Sequence, residues 1–267
     1  MFEEYLDNLR SSGKRYFTFS QVIADLSTSV NSAKSGLYRL KTEGKLITPA
    51  KGLYVIVPPE HRPQGSIPAE ELAPILMKYL KAEYYVSLLS GAAYYGASHQ
   101  KPARFQIITN KRIKHPLEFG QIKLEIIYKK SMTGLPMQDI VVNTGYLKIA
   151  SPELIAFDLL TYPSRVGGLS HIATVLSELI EAIDADKLIK LAIMVGAKAW
   201  LQRLGFILEK IDSMDEEKRV GLIASLQTYL DGKMSVFVPL ASELPKTGYP
   251  RIRKWKIIEN TDIEGDL

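Results

Sequence analysis

Asn31, Ser32, Lys34 and Ser35 stand close together, and Tyr38, Arg39 and Lys41 follow one helical turn later. Short amide and hydroxyl side chains make directional hydrogen bonds at close range, while arginine and lysine reach further, to a guanine edge or a phosphate. Set on the first turns of a helix, such a group suits the major groove of duplex DNA. Lys51, in the turn-forming triplet Ala50-Lys51-Gly52, would stand at the tip of a hairpin, where a lysine meets phosphate or minor groove. The same residues also fit the solvated face of an ordinary helix, since helix surfaces are polar whatever they do. Net charge does not decide, because residues 1–60 hold eight basic and six acidic side chains. Segregation favours DNA. Between Ser27 and Pro59 there are five basic residues (Lys34, Arg39, Lys41, Lys45, Lys51) against one acid, Glu43. Asn31, Ser32, Lys34, Ser35, Tyr38, Arg39, Lys41 and Lys51 are the candidate DNA-binding set.

A second concentration of positive charge runs from Lys101 to Lys130, with eight basic residues and only Glu118 and Glu125 as acids. Lys101, Arg104, Lys111, Arg112 and Lys114 are its candidate contacts, for a phosphate backbone or an acidic protein surface. For Lys123, Lys129 and Lys130 the alternative is a lysine-blunted strand edge. A third run, Lys246, Arg251, Arg253, Lys254 and Lys256, is interleaved with Tyr249 and Trp255. Beyond it Glu259, Asp262, Glu264 and Asp266 read as a frayed acidic end.

Signatures of catalysis are missing. There is no cysteine among the 267 residues, so disulfides, thiolate metal sites and cysteine nucleophiles are excluded. No Gly-x-Gly occurs, and none of the Gly-Lys pairs at Gly13, Gly44 and Gly232 is followed by Ser or Thr, which removes the dinucleotide and phosphate-loop fingerprints. His61, His99, His115 and His171 are scattered without metal-ligand spacing. Gly65-Ser66 lacks the following Asp-x-Asp or Asp-x-Glu of a nucleotidyl-transfer site, and Glu125 lacks the Lys of a Glu-x-Lys nuclease motif. The expectation is a non-enzyme with no cofactor and no metal. A net charge of +5 permits a polyanion partner. The N-terminus has no signal-peptide pattern, and the uncharged stretch Tyr84 to Gln100 is too polar to span a bilayer, so a cytoplasmic protein with no membrane partner is expected.

The elements that position the first set follow from local pattern. Phe2, Tyr5, Leu6 and Leu9 predict a helix ended by Ser11-Ser12-Gly13. Phe19-Ser20 offers an N-cap for a short helix through Val22, Ile23 and Leu26. Ser29 caps a third helix to about Glu43, with Val30, Ala33, Leu37 and Leu40 as its buried stripe and Gly44 as its stop. Leu46 to Pro49 and Leu53 to Val57 read as strands. Helices followed by a hairpin is the order of a winged helix-turn-helix over residues 1–57. Pro58, Pro59, Pro63 and Pro68 mark 58–68 as a linker.

The larger part, 69–245, mixes both structure types, with 246–267 as a basic and then acidic tail. Glu71 to Ala82 and Tyr84 to Tyr95 read as helices, Phe105 to Thr109 and Ile122 to Tyr128 as strands, and Asn143-Thr144-Gly145 as a hairpin turn between Ile140–Val142 and Tyr146–Ile149. From Ser151-Pro152-Glu153, an N-cap with proline at the first helical position, the pattern turns mostly helical. Those helices cover Leu169 to Ile183, Ala185 to Val195, Ala197 to Ile211 and Glu216 to Leu230, and Met234 to Leu240 reads as a returning strand. The fold class is α+β.

The N-terminal unit resembles a known family when taken with Tyr84-Tyr85-Val86-Ser87-Leu88-Leu89-Ser90-Gly91-Ala92-Ala93-Tyr94-Tyr95-Gly96, Phe105-Gln106-Ile107-Ile108-Thr109, Ile149-Ala150-Ser151-Pro152-Glu153, Phe157-Asp158-Leu159-Leu160 and Gly167-Gly168. From about residue 5 to 240 the chain is similar to the AbiEi antitoxins. The resemblance implies a bacterial two-gene, type IV toxin–antitoxin system for phage abortive infection. It implies a winged helix-turn-helix that represses its own promoter by binding double-stranded operator DNA, and a C-terminal domain that counters, directly or functionally, an AbiEii-type nucleotidyltransferase-like toxin. It carries over no catalytic residues. A transcription regulator with a ligand-sensing C-terminal domain shares every N-terminal feature, and a DNA-processing enzyme with a winged-helix targeting module is disfavoured by the missing acid clusters.

Overall fold

The computed structural model describes residues 1–97 and 102–263. Lys101, His99, Glu264 and Asp266, singled out above, lie outside the described residues. The chain is a mixed α+β protein that divides into two compact units. One comprises Met1–Tyr85, Ala103–Met132 and Asp139–Lys148, the other Val86–Pro102, Thr133–Gln138 and Ile149–Leu267.

The first unit begins with α1 (Phe2–Ser11), β1 (Tyr16–Thr18), α2 (Phe19–Leu26), α3 (Val30–Thr42), β2 (Leu46–Ala50) and β3 (Leu53–Ile56). Helices α1 and α3 stop in the same way. Gly13 and Gly44 take positive φ, and each glycine and the residue after it donate N–H groups back into the last helical turn: Gly13 to Arg10, Lys14 to Leu9, Gly44 to Lys41 and Lys45 to Leu40. The cap of α2 is Thr18 rather than Ser20. Its hydroxyl accepts from the Gln21 N–H, and the Gln21 side chain accepts from the Thr18 N–H, because Thr18 is the last extended residue before the helix. Strand β3 lies between β1 and β2, both antiparallel to it. Phe2, Tyr5, Leu9, Phe17, Val22, Ala33, Leu37 and Leu40 share one buried core. Gly36 faces the Phe2 ring so closely that an added Cβ would lie 2.6 Å from it. Val30, expected in the buried stripe, is 49% exposed, since it opens the helix before the first turn reaches the core.

Residues 58–68 differ from a free connector. Pro59–Gln64 winds into a short 3-10 turn, Ser66 and Ile67 are buried, and the Gln64 carbonyl accepts the Gln121 N–H at 2.8 Å. The prolines force the turn, and the apolar Ile67 still finds a core. The chain first passes from one compact unit to the other after Tyr85.

Next come α4 (Ala69–Leu80), β4 (Tyr84–Val86), α5 (Leu88–Ala92), β5 (Phe105–Thr109), β6 (Leu117–Phe119), β7 (Ile122–Tyr128), β8 (Met137–Val142) and β9 (Gly145–Ala150). Tyr84 to Tyr95 therefore corrects the expectation of one helix, because its first three residues are a buried strand. Two tyrosines and a valine favour the pleated state once neighbouring strands pair with them and all three side chains are buried. The six-stranded sheet runs β6-β7-β5-β4-β9-β8, with β5 and β7 parallel from Phe105–Leu124 to Thr109–Tyr128.

The second unit is mainly α6 (Pro152–Thr161), α7 (Leu169–Leu179), α8 (Ala185–Val195), α9 (Ala199–Lys210) and α10 (Glu216–Leu230), closed by the short strands β10 (Val238–Pro239), β11 (Arg251–Ile252) and β12 (Ile257–Ile258). Ser151 caps α6 as its Ser-Pro-Glu pattern predicts, accepting from the Leu154 N–H. The strand expected over Met234 to Leu240 shrinks to two residues. The expected tail is packed in its described part. Trp255 is fully buried against Gly205 of α9, where any side chain would run into the indole, and Glu259 pairs with Lys210 at 3.0 Å.

Candidate nucleic-acid interface

Helix α3 owes its geometry to Ser29, whose hydroxyl accepts from the Ser32 N–H at 3.2 Å, and to the buried set Ala33, Gly36, Leu37 and Leu40. Burying that side turns Asn31, Ser32, Lys34, Ser35, Tyr38, Arg39 and Lys41 outward, and all seven are exposed. Tyr38 is 73% exposed, an unusual amount for an aromatic ring. Among the described residues, the ammonium groups of Lys34, Lys41 and Lys51 have no hydrogen-bond or ion-pair partner. Arg39 has a loose contact with Glu43, Nε to Oε1 at 3.9 Å, between two exposed groups, which contributes little.

Glu43 is the one acid on this stretch, and it is paired with Lys45. Lys45 Nζ lies 2.7 Å from its Oε2 and also pairs with Glu3. The hydrogen bond from Lys45 holds the Glu43 carboxyl below its usual range. The bonds from Glu3 and Glu43 hold the Lys45 ammonium above its own. The acid beside the exposed face is thus neutralised locally.

The turn between β2 and β3 places Lys51 at its exposed tip. Gly52 has φ +83°, and its carbonyl accepts the Phe19 N–H at 2.9 Å. The Lys51 carbonyl accepts the Tyr79 hydroxyl of α4 at 2.8 Å. Nothing local in the sequence points to this contact, because it spans 28 positions.

The second candidate set lies in the same unit but in a different state. Arg104 pairs with Glu118 at 3.2 Å, Lys111 donates to the Leu80 carbonyl at 2.7 Å, and the Arg112 guanidinium sits 4.5 Å from the centre of the Tyr128 ring. Lys114 is exposed. These side chains are outward, yet three of the four are tied to their own scaffold.

The second unit contains a cavity of about 510 Å³ walled by Pro136, Leu191 and Met194, with Tyr95, Glu153 and Lys187 as polar lining. Glu153 is buried. Its Oε1 accepts the Asp184 N–H at 2.9 Å, while Oε2 has no partner among the described residues. Burial, with the Glu153 carboxylate nearby, pushes the Tyr95 phenol up to about 12. Ser87 and Asp158 form a separate, fully buried pair, Oγ to Oδ2 at 2.9 Å, which ties the start of α5 to α6. Among the described residues no cluster of His, Asp and Glu could hold a metal ion, and no helix is long and apolar enough to cross a membrane.

Comparison with known proteins agrees with this architecture. The crystal structure of the RV2827C protein from Mycobacterium tuberculosis is similar at a TM-score of 0.65 and 17% identity, covering 95% of this chain and 89% of that one, a likeness of fold. No curated protein matches the sequence. Residues 85–210 match the family model of the AbiEi antitoxin C-terminal domain, with residues 1–84 outside the match. That match identifies residues 85–210 as an AbiEi antitoxin C-terminal domain.

Proposed function

We propose that the protein is the antitoxin and autorepressor of a two-gene abortive-infection system. In this reading residues 1–57 are a winged helix-turn-helix, α3 enters the major groove of the operator, and Lys51 on the β2–β3 wing meets backbone. Ser32, Lys34, Ser35 and Arg39 face the groove, with Asn31 and Lys41 flanking them and Tyr38 against the sugar-phosphate chain. The C-terminal domain counters a nucleotidyltransferase-like toxin, and Arg104, Lys111, Arg112 and Lys114 are the residues of the basic stretch available to meet an acidic toxin surface or the toxin's nucleic-acid substrate. Lys101 belongs to the same proposal. Catalysis has no part in it.

The observation that carries the reading is the face of α3: seven outward polar or basic residues, the exposed Tyr38 among them, and a single acid paired away by Lys45. The test is co-expression of the full chain with its neighbouring toxin gene, alongside a reporter on its own promoter. The chain is expected to restore colony formation and silence the reporter. Growth arrest that the full chain does not relieve, with the protein soluble and folded, would overturn the antitoxin assignment.

The cavity beside Glu153 favours a second reading, a winged-helix regulator whose C-terminal domain senses a small molecule. It predicts that a metabolite extract shifts operator affinity of the wild type and not of a Glu153→Gln variant.

A further inference from the structure

The wing is held from outside residues 1–57. Tyr79, half-buried near the end of α4, donates its hydroxyl to the carbonyl of Lys51, the residue whose side chain the wing presents. At the next position Gly52 has φ +83°, and an added Cβ would lie 3.1 Å from the Tyr79 oxygen, so backbone conformation and space both call for glycine there. From the other side the Phe19 N–H holds the Gly52 carbonyl. Two successive carbonyls of the turn are therefore tied, one to the start of α2 and one to α4. Helix α4 is itself a firm support, with Leu72, Ala73, Ile75, Leu76 and Met77 buried along it.

A lysine side chain reaches phosphate from wherever its Cα is held, and a turn that is already ordered loses less freedom on binding. We infer that Tyr79 is a positioning residue for DNA binding: it latches the wing so that Lys51 meets the phosphate backbone while α3 occupies the groove. Helix α4 is then part of the DNA-binding module. This inference rests on the reading of α3 and Lys51 as the duplex-binding surface.

The test uses the full chain with three substitutions: Tyr79→Phe, which removes only the hydroxyl, Lys51→Ala, and the two combined. Duplex affinity is measured across a salt series, with thermal unfolding as a check on folding. Lys51→Ala is expected to weaken binding to all sequences and to shallow the salt dependence by about one counterion. Tyr79→Phe should weaken binding several-fold with a shallower salt dependence and an unchanged melting temperature. The double variant should fall no further than Lys51→Ala alone, because the latch acts through that lysine. Loss in Lys51→Ala with none in Tyr79→Phe overturns the latch and leaves the interface reading standing, as do additive losses in the double variant. No loss in either variant overturns both.

Discussion

The face of α3 and the strip from Arg104 to Lys114 are both rich in cations, and they differ in what those cations already touch. On α3, Lys34 and Lys41 have no partner among the described residues, and Arg39 has only a loose contact at 3.9 Å. On the strip, Arg104 holds Glu118, Lys111 holds a backbone carbonyl, and Arg112 lies over Tyr128. A cation already engaged must give up that contact before it neutralises a phosphate, whereas an unengaged one only sheds water and counterions. Charge counted along a sequence therefore overstates one region relative to the other. The proposed function accordingly gives duplex binding to α3 and leaves the strip for scaffold contacts and a partner that can approach without dismantling them.

The hardest strike against that division is the variant Lys34→Ala/Arg39→Ala/Lys51→Ala. Arg39 alone is expected to contribute about 1–3 kcal/mol if it reads a base, and each lysine about one unit of salt slope. Together the loss should reach roughly a hundredfold or more in operator affinity at moderate salt, with a slope shallower by about two. Mobility-shift titrations at two salt concentrations measure it. Unchanged affinity would remove α3 from the interface.

Much of α3 was legible beforehand because its determinants are local. Ser29 caps it, Gly44 ends it, and Ala33, Leu37 and Leu40 recur at helical spacing. What escaped depends on partners distant in sequence. Tyr84–Val86 fits helix and strand equally as an apolar run, and only the neighbouring strands decide for a strand. Ile67 sits among prolines that suggest a linker, yet its segment is docked through Gln64 and Gln121. Trp255 reads as part of a basic tail, and its burial depends on a bare position at Gly205, 50 residues earlier. The same holds for the site. The seven α3 residues carry a surface pattern, but the engagement of Arg104, Lys111 and Arg112 depends on Glu118, Leu80 and Tyr128, which no spacing rule connects to them.

A smaller effect sharpens the contrast from the other side. Arg104→Ala/Lys111→Ala/Arg112→Ala should leave operator affinity close to that of the wild type and instead lower stability. Half-exposed ion pairs contribute about 0.2–1 kcal/mol and a cation–π contact about 0.5–1 kcal/mol, so a loss of about 1–2 kcal/mol is expected in chemical denaturation. If these residues also meet the toxin, growth rescue falls while promoter repression holds. An operator affinity reduced as far as in the α3 variant would erase the distinction between the two regions.

The smallest effect concerns the one acid on the favoured side. Lys45 bonds Glu43 and Glu3 at the foot of α3, and without it the Glu43 carboxylate would stand uncompensated beside Arg39. The Glu43 carboxyl is held below its ordinary value of 4.5, so its stabilising share is present above that value and disappears as pH falls through the lowered one. The Lys45 ammonium is held above 10.5, so its share is complete below that value and disappears as pH rises through the raised one. The clamp therefore acts on a plateau that covers neutral pH. Lys45→Gln should melt lower than the wild type by a constant margin between roughly pH 6 and 9, and the margin should close in acid, where Glu43 protonates. At neutral pH the same variant should bind operator less well, by less than any single α3 substitution, because Glu43 then competes with DNA for Arg39. Adding Glu43→Gln should restore the affinity without restoring the melting temperature. Affinity that stays low in the double variant would mean that Lys45 touches DNA itself, which would extend the α3 surface by one more cation.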